Sequence, residues 1–154
     1  MRTTDEITIR APRERVFALA RDVERWPFLL AHYRWVRVLS RESQTPRQIV
    51  EMAAWRPFGP LRYPAWWVSE MTVDEGASEI RYHHIAGITR GMEVTWHVAP
   101  AADHVDVSIE HTWSGPAWPL VGTIAADCVI GPVFVHGIAG RTLAGIRRHA
   151  ERGA

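Results

Sequence analysis

The feature that most constrains the fold is a change in the spacing of apolar residues at Tyr33. Before this residue, apolar side chains recur roughly every 3.6 positions, as on one face of a helix, and after it they alternate, as on one face of a strand. Turn residues divide the alternating region into six runs joined by short connections. Because such strands pair with their neighbours in sequence, the region is predicted to be an antiparallel meander. The predicted strands cover residues 33–41, 46–56, 61–74, 78–85, 90–100 and 104–113.

The segment before the meander adds one strand and two short helices. Thr4–Arg10 alternates as a further strand. Pro12 suits the first turn of a helix, where its missing N–H needs no partner. Asp22 is the expected N-cap of a second helix, which is interrupted at Trp26-Pro27.

The segment after the meander is predicted to be one long helix that ends near Arg152 and is kinked near Pro132. Its apolar stretch approaches the length of a membrane span, but Asp127 and His136 favour a helix that lies across the sheet, with no membrane span. The chain is therefore predicted to have an α+β fold. Seven antiparallel strands wrap around a long C-terminal helix, two short helices lie between strands 1 and 2, and a cavity lies between sheet and helix.

Charge and cysteine content exclude several functions. The chain has 18 Lys and Arg residues and 17 Asp and Glu residues, so its net charge is +1. This balance gives no electrostatic basis for binding nucleic acid. The single cysteine, Cys128, excludes a disulfide framework and is expected to pack as a small hydrophobe. No apolar run follows the first Met, so no signal peptide is expected, and the protein is predicted to be cytoplasmic.

Motifs for cofactors and metals are missing from the sequence. It contains no G-x-G-x-x-G or P-loop run and no G-x-S-x-G elbow, so neither a nucleotide cofactor nor a serine nucleophile is expected. His83 and His84 are adjacent on a predicted strand and therefore point to opposite faces. We expect no metal site and no cofactor.

The unusual feature of the composition is eight Trp in 154 residues. Side chains point alternately to the two faces of a strand. The odd or even position of a residue along its strand, its parity, therefore predicts whether it faces the cavity. Trp and Met at such positions can equally be core residues, and an inward His can be purely structural. In strand 33–41 the parity is ambiguous, because Val36 and Val38 place Arg34 inward while Tyr33 reaches the cavity mouth. The predicted ligand-binding residues are Arg34, Trp67, Ser69, Met71, Tyr82, Met92, Val94, Trp96, Ile109 and Trp113, joined by the polar groups Tyr33, His84 and His111.

Three runs resemble one known family: ITIRAPRERVFALARDVERWP, HYRWVRVL and WWVSEMTVDEG. The family is the polyketide cyclase/aromatase branch of the START, or Bet v 1-like, helix-grip superfamily. The resemblance covers nearly the whole chain and implies a single helix-grip domain over residues 1–154. It also implies a pocket that folds a poly-β-ketone chain and directs aldol condensation and dehydration without a cofactor.

The resemblance also suggests roles for individual residues. By position, Tyr33 matches a family Tyr that serves in acid/base chemistry, and Trp67, Ser69 and Trp96 match pocket-lining residues. The sequence departs from the family where a central-strand Arg is replaced by Met71. A second family Arg falls at or beside His84.

Two main hypotheses follow. In the first, the protein is a cyclase-like enzyme acting on a polyketide or aromatic intermediate, with His84, Tyr33 and His111 handling proton transfer. In the second, it is a non-catalytic carrier or sensor of a lipid, quinone or other apolar molecule, which the loss of the Arg favours. A third alternative is a collapsed cavity and a function through the surface at Trp66. The expected partner is a hydrophobic small molecule, and the protein is expected to be a monomer or homodimer.

Overall fold

The computed structural model describes residues 1–58, 61–115 and 136–152. The elements are β1 (Arg2–Ile9), α1 (Arg13–Arg21), α2 (Trp26–Leu29), β2 (Tyr33–Arg41), β3 (Arg47–Phe58), β4 (Leu61–Asp74), β5 (Glu79–Gly87), β6 (Glu93–Pro100), β7 (Val105–Thr112) and α3 (His136–Glu151). A 3-10 turn precedes α2. Within the described residues the sheet has the strand order β1-β7-β6-β5-β4-β3-β2, and every neighbouring pair is antiparallel.

This architecture confirms the predicted fold class: a seven-stranded antiparallel sheet, two short helices between its first two strands, and a C-terminal helix. The largest difference in a strand boundary is at β6, which begins at Glu93 and not at residue 90. Residues 88–91 instead form a tight turn, in which the Arg90 N–H donates to the Gly87 carbonyl at 3.2 Å. Glycine stands at both ends of this turn with positive φ, +94° at Gly87 and +84° at Gly91.

Gly87 is required both by its backbone conformation and by its surroundings. A Cβ at this position would lie 2.3 Å from the carbonyl oxygen of Trp66 on β4. The close approach occurs beside an irregularity in the β4–β5 pairing between Val68 and Ser69. The turn that follows Gly87 is thereby held against the sheet, and it carries Thr89 to the interior.

The short helices begin near the predicted positions. Pro12 is the N-cap of α1, just outside the first helical turn. Asp22 precedes the 3-10 turn Val23–Arg25, but its side chain makes no capping hydrogen bond. The predicted interruption at Trp26-Pro27 is a boundary, since the 3-10 turn ends at Arg25 and α2 starts at Trp26 with its proline in the first turn.

Helix α3 packs across the inner face of the sheet with one apolar side. Its buried residues recur at helical spacing: Ala139, Thr142, Leu143, Gly145, Ile146 and Ala150. Gly145 allows close contact with the segment after α2, because a Cβ there would lie 2.2 Å from Cδ2 of Leu30. No helix within the described residues is long and apolar enough to cross a membrane. The predicted kink at Pro132 and the packing of Cys128 fall outside the described residues.

Candidate functional site

A cavity lies between the inner face of the sheet and helix α3. The cavity volume is about 80 Å³. Because one water needs on the order of 10–15 Å³ of such space, the cavity has room for several water molecules or a small ligand group. The described lining residues are Trp26, Tyr33, Met52, Trp67, Tyr82, His84, Thr89, Met92, Val94, Trp96, Ile109, His111, Ile138, Ala139 and Thr142.

Strand parity predicted much of this wall. The residues that were predicted and do line the cavity are Tyr33, Trp67, Tyr82, His84, Met92, Val94, Trp96, Ile109 and His111. Three others, Ser69, Met71 and Trp113, are almost fully buried but are not among the lining residues. Parity selects a face of the sheet, and it does not determine which part of that face borders open space.

The prediction that Arg34 points inward is wrong. Its side chain is exposed, and its guanidinium carbon lies 4.5 Å from the ring centroid of Trp55 and 4.8 Å from that of Trp35. The cause is a break in the β2–β3 register between Tyr33 and Trp35. A bulge adds one residue to a strand and interrupts the alternation, so Tyr33 and Val36 both turn toward the interior. Parity counted back from Val36 therefore assigned Arg34 to the wrong face.

The lining residues that sequence reasoning missed come mostly from outside the predicted meander strands. They are Trp26, Met52, Thr89, Ile138, Ala139 and Thr142. The position of Met52 between Val50 and Ala54 on β3 was a usable signal, since all three are buried on the inner face. The others reach the cavity only through the packing of helices and of the turn after β5.

His84 is the most constrained polar group in the cavity wall. Its Nδ1 lies 2.6 Å from the Oγ1 of Thr89, and its ring stacks on the indole of Trp67 at 6.0 Å between centroids and an interplanar angle of 16°. Burial, together with charge on His111 and His83, lowers the pKa of His84 to about 3. The imidazole is therefore neutral at neutral pH.

Tyr82 and His111 lie on one row of the inner face, on either side of Val94. Tyr82 pairs with Val94 across β5 and β6, and Val94 pairs with His111 across β6 and β7. Burial raises the pKa of Tyr82, and a smaller effect comes from Tyr33, so its hydroxyl stays protonated. Burial and then the charge of His136 lower the pKa of His111 to about 3. Neither the Tyr82 hydroxyl nor the His111 Nδ1 has a hydrogen-bond partner among the described residues.

Tyr33 connects the cavity wall to helix α3. Its ring packs at 5.1 Å from that of Trp26 and 6.4 Å from that of Trp67, measured between centroids. Its hydroxyl lies 3.5 Å from the Oγ1 of Thr142, which donates to the Ile138 carbonyl at 2.8 Å. His32, whose Nε2 is 3.0 Å from the same Oγ1, has its pKa lowered to about 4 by burial and by Arg141. The phenol is thus held in place from both sides of the cavity.

Among the residues that the structure describes, no group of three His, Cys, Asp or Glu side chains is arranged to hold a metal ion.

Comparison with known proteins gives one consistent result. Residues 9–127 match the family described as polyketide cyclase / dehydrase and lipid transport. A putative polyketide cyclase of Streptomyces halstedii is 33% identical over 96 residues, which is 61% of this chain and 84% of that protein. A putative polyketide cyclase of Streptomyces cyaneus is 33% identical over 103 residues, 66% of this chain and 64% of that protein, so the chain spans slightly less than two thirds of it.

Among solved structures, the Zhui aromatase/cyclase from a Streptomyces species superposes with a TM-score of 0.81 at 17% identity, covering 99% of this chain and 94% of that one. At this identity the likeness shows the fold. The family match and the curated relatives confirm the resemblance to polyketide cyclases, and the superposition confirms the fold. With more than half of its length matched, this chain belongs to the polyketide cyclase / dehydrase and lipid transport family.

Proposed function

We propose that this protein binds a hydrophobic polycarbonyl or aromatic intermediate in its cavity and promotes aldol cyclisation and dehydration without a cofactor. The observation that carries the proposal is the neutral imidazole of His84, buried in the cavity wall and held there by Thr89 and Trp67. An apolar cavity with a few convergent polar groups is the usual construction of a small-molecule site.

The proposed chemistry closes one carbon–carbon bond and moves two protons, one in the condensation and one in the dehydration. A carbon flanked by two carbonyls loses a proton to His84 and attacks a carbonyl carbon of the same molecule. The Tyr33 hydroxyl donates a hydrogen bond to the oxygen on which negative charge develops. That oxygen then takes up the proton, and it leaves as water together with a hydrogen from the adjacent carbon. His111, which also lines the cavity, would carry the second proton from the adjacent carbon to the leaving hydroxyl.

The low pKa of His84 limits how it can act. An imidazole with a pKa of about 3 holds a proton only transiently, so the proton must pass on to the substrate oxygen within the same encounter. Much of the rate acceleration must therefore come from the cavity walls, which hold the substrate in its reactive conformation. A rate governed by His84 should not show a histidine titration between about pH 5 and 8.

A second candidate function is that of a carrier or sensor for an apolar molecule. The observation that favours it is the lack of any Lys or Arg among the described lining residues. Met71, where the family has an arginine, is fully buried and accepts a 3.0 Å contact from the Gln48 amide. A methionine cannot stabilise an enolate by charge, whereas a purely apolar ligand needs no such charge.

Ring closure and binding distinguish the two functions. Wild type, His84→Ala and the matched control His83→Ala are given a synthetic linear poly-β-carbonyl thioester, and the absorbance of the aromatic product is followed. Binding is measured by quenching of Trp emission with polycyclic phenols, quinones and fatty acids.

For an enzyme, His84→Ala should lose at least about 100-fold in rate while keeping its affinity within about threefold, and His83→Ala should be unchanged. If all three proteins bind these compounds and none of them accelerates ring closure, the result would contradict the enzyme function and support the carrier function. No quenching by any compound would contradict both functions.

A further inference from the structure

A cluster of polar side chains lies beside the cavity, where β1 pairs with β7, and the proposed chemistry does not use most of it. Thr3 on β1 is the direct partner of His111 on β7, and Asp5 is the partner of Ile109. Directly paired residues have Cβ atoms about 4.5–5.5 Å apart. Thr3 and Asp5 share a face because they are two residues apart. Both therefore lie next to residues that line the cavity, since His111 and Ile109 do so.

Helix α3 covers this cluster with His136 from its first turn. The Nδ1 of His136 lies 2.7 Å from Oδ1 of Asp5, although the two residues are 131 positions apart in sequence. Only 14% of the Asp5 side chain is exposed. His136 is also close enough to His111 for its charge to lower the pKa of that buried ring, after the larger effect of burial. The four residues thus form one polar group between strand pair and helix.

Three atoms of this group are buried and have no hydrogen-bond partner among the described residues. They are Thr3 Oγ1, Asp5 Oδ2 and His111 Nδ1. Buried polar atoms are nearly always hydrogen-bonded, because leaving them unpaired costs free energy. Three such atoms on paired and adjacent positions would be satisfied by one bound group that can both donate and accept.

We propose that this cluster is a subsite for a hydroxyl group of the ligand, an inference that rests on the proposed binding function. A carboxylate oxygen only accepts, so the group facing Asp5 Oδ2 must donate a hydrogen. The Thr3 hydroxyl and the His111 ring can each donate or accept, depending on rotamer and tautomer. A hydroxyl donates once and accepts twice, which matches this set. A ligand carboxylate would be repelled by Asp5, and a bare carbonyl has no hydrogen to offer.

The subsite would also orient the ligand in the cavity. The row from His111 through Val94 leads to Tyr82, whose hydroxyl is likewise unpaired among the described residues. His84 follows Tyr82 by two positions on the same face of β5. A ligand anchored by its hydroxyl at Asp5 would therefore have the rest of its length along the wall that also carries Tyr82 and His84. This favours hydroxylated rings over fatty acids as the ligand class.

Calorimetric titration with three compounds of one shape tests the subsite. The compounds are 4-propylphenol, propylbenzene and 4-propylbenzoate, which share ring and tail and differ in the polar group. The proteins are wild type, Asp5→Asn, Thr3→Val and the control Glu6→Gln, whose side chain is exposed on the opposite face of β1. Propylbenzene reports whether the cavity itself is intact in each variant.

Wild type should bind the phenol about tenfold more tightly than propylbenzene, and the benzoate more weakly than both. Asp5→Asn should remove the preference for the phenol while leaving propylbenzene unchanged, Thr3→Val should reduce it about threefold, and Glu6→Gln should keep it. If Asp5→Asn no longer binds propylbenzene, its cavity is not intact, and the subsite is then tested by Thr3→Val alone.

Equal affinity for phenol and propylbenzene in wild type, or a preference that both variants retain, would overturn the subsite and leave the binding function standing. If none of the three compounds binds to wild type, the proposed binding function fails, and the subsite fails with it.

Discussion

His83 and His84 are neighbours on β5, yet they lie in opposite chemical environments. His83 points outward, its side chain is 46% exposed, and its Nδ1 pairs with the carboxylate of Glu93 on β6. His84 points inward, is buried, and has the hydroxyl of Thr89 as its polar partner. Moving one residue along the strand therefore changes the surroundings of the imidazole from water and a carboxylate to an apolar cavity wall. The face of the sheet, and not the residue type, decides what each imidazole can do.

The same contrast holds for the two faces of the sheet as a whole. The outer face carries ion pairs such as Arg47–Glu70 at 2.6 Å, and the Trp66 indole donates to Glu51 at 2.9 Å. Exposed pairs of this kind contribute little stability because water and salt screen them. The inner face carries few polar groups, but there the low dielectric makes each unpaired or charged group costly. Perturbing the inner face should therefore have the larger effects.

The largest expected effect is a loss of stability in acid that comes from the inner face. The folded pKa values of His84 and His111 lie near 3, below the ordinary value of 6.5, so the unfolded chain binds protons that the folded chain does not. Stability is then highest above about pH 6.5 and falls as the pH drops toward 3. Between pH 7 and 5 each of the two rings should cost about 2 kcal/mol, and His32 adds to the loss in the same direction.

Urea unfolding at a series of pH values measures this loss. His84→Gln should remove about half of the contribution of the two rings, whereas the outward control His83→Gln keeps both buried rings and should retain that contribution. Identical profiles for the two variants would show that His84 is not held neutral by burial.

A smaller effect is expected from the contact that fixes His84. Thr89→Val removes the hydroxyl 2.6 Å from Nδ1 and leaves a buried ring nitrogen unpaired, which should lower the free energy of unfolding by about 1–2 kcal/mol. Thr112→Val, at an exposed position at the end of β7, is the control and should change it by less than about 0.5 kcal/mol. Thermal or urea unfolding gives both values, and Thr89→Ser should restore most of the loss. Equal effects of the two Val substitutions would contradict a specific role for Thr89.

The smallest effect is expected on the outer face. His83→Gln and Glu93→Gln should each change stability by no more than about 0.5 kcal/mol, and their coupling in a double-mutant cycle should be of the same size. About 1 M NaCl should abolish that coupling, because salt screens charges on exposed side chains. A coupling well above 1 kcal/mol, or one that salt does not reduce, would contradict the prediction that polar groups have smaller effects on the outer face than on the inner face.

Much of the sheet was predictable because burying one face of a strand imposes alternation on the sequence. In β7, Val105, Val107, Ile109 and His111 are all buried between more exposed neighbours, as the pattern predicted. The prediction failed at Arg34, where a register break adds one residue to β2 and reverses the parity. Alternation carries no direct signal for such a bulge.

The cavity was only partly predictable for a different reason. Met71 and Trp113 face inward as parity predicts, yet other atoms cover them, and they do not border open space. Thr142 and Ala139, which do line it, belong to α3 and reach the wall only by its packing over the sheet. A strand pattern describes one element at a time, whereas a cavity is what remains between several elements.

The sequence by itself determined the meander, its two faces and most of the inward side chains, because period-two burial is a local property of each strand. The tertiary structure alone decided the chemistry of those side chains. The low pKa of His84 depends on burial beneath distant elements, and the Asp5–His136 pair joins residues near the two ends of the chain. Protonation and hydrogen-bond satisfaction are set by the surrounding atoms, and those atoms come together only when the helix closes over the sheet.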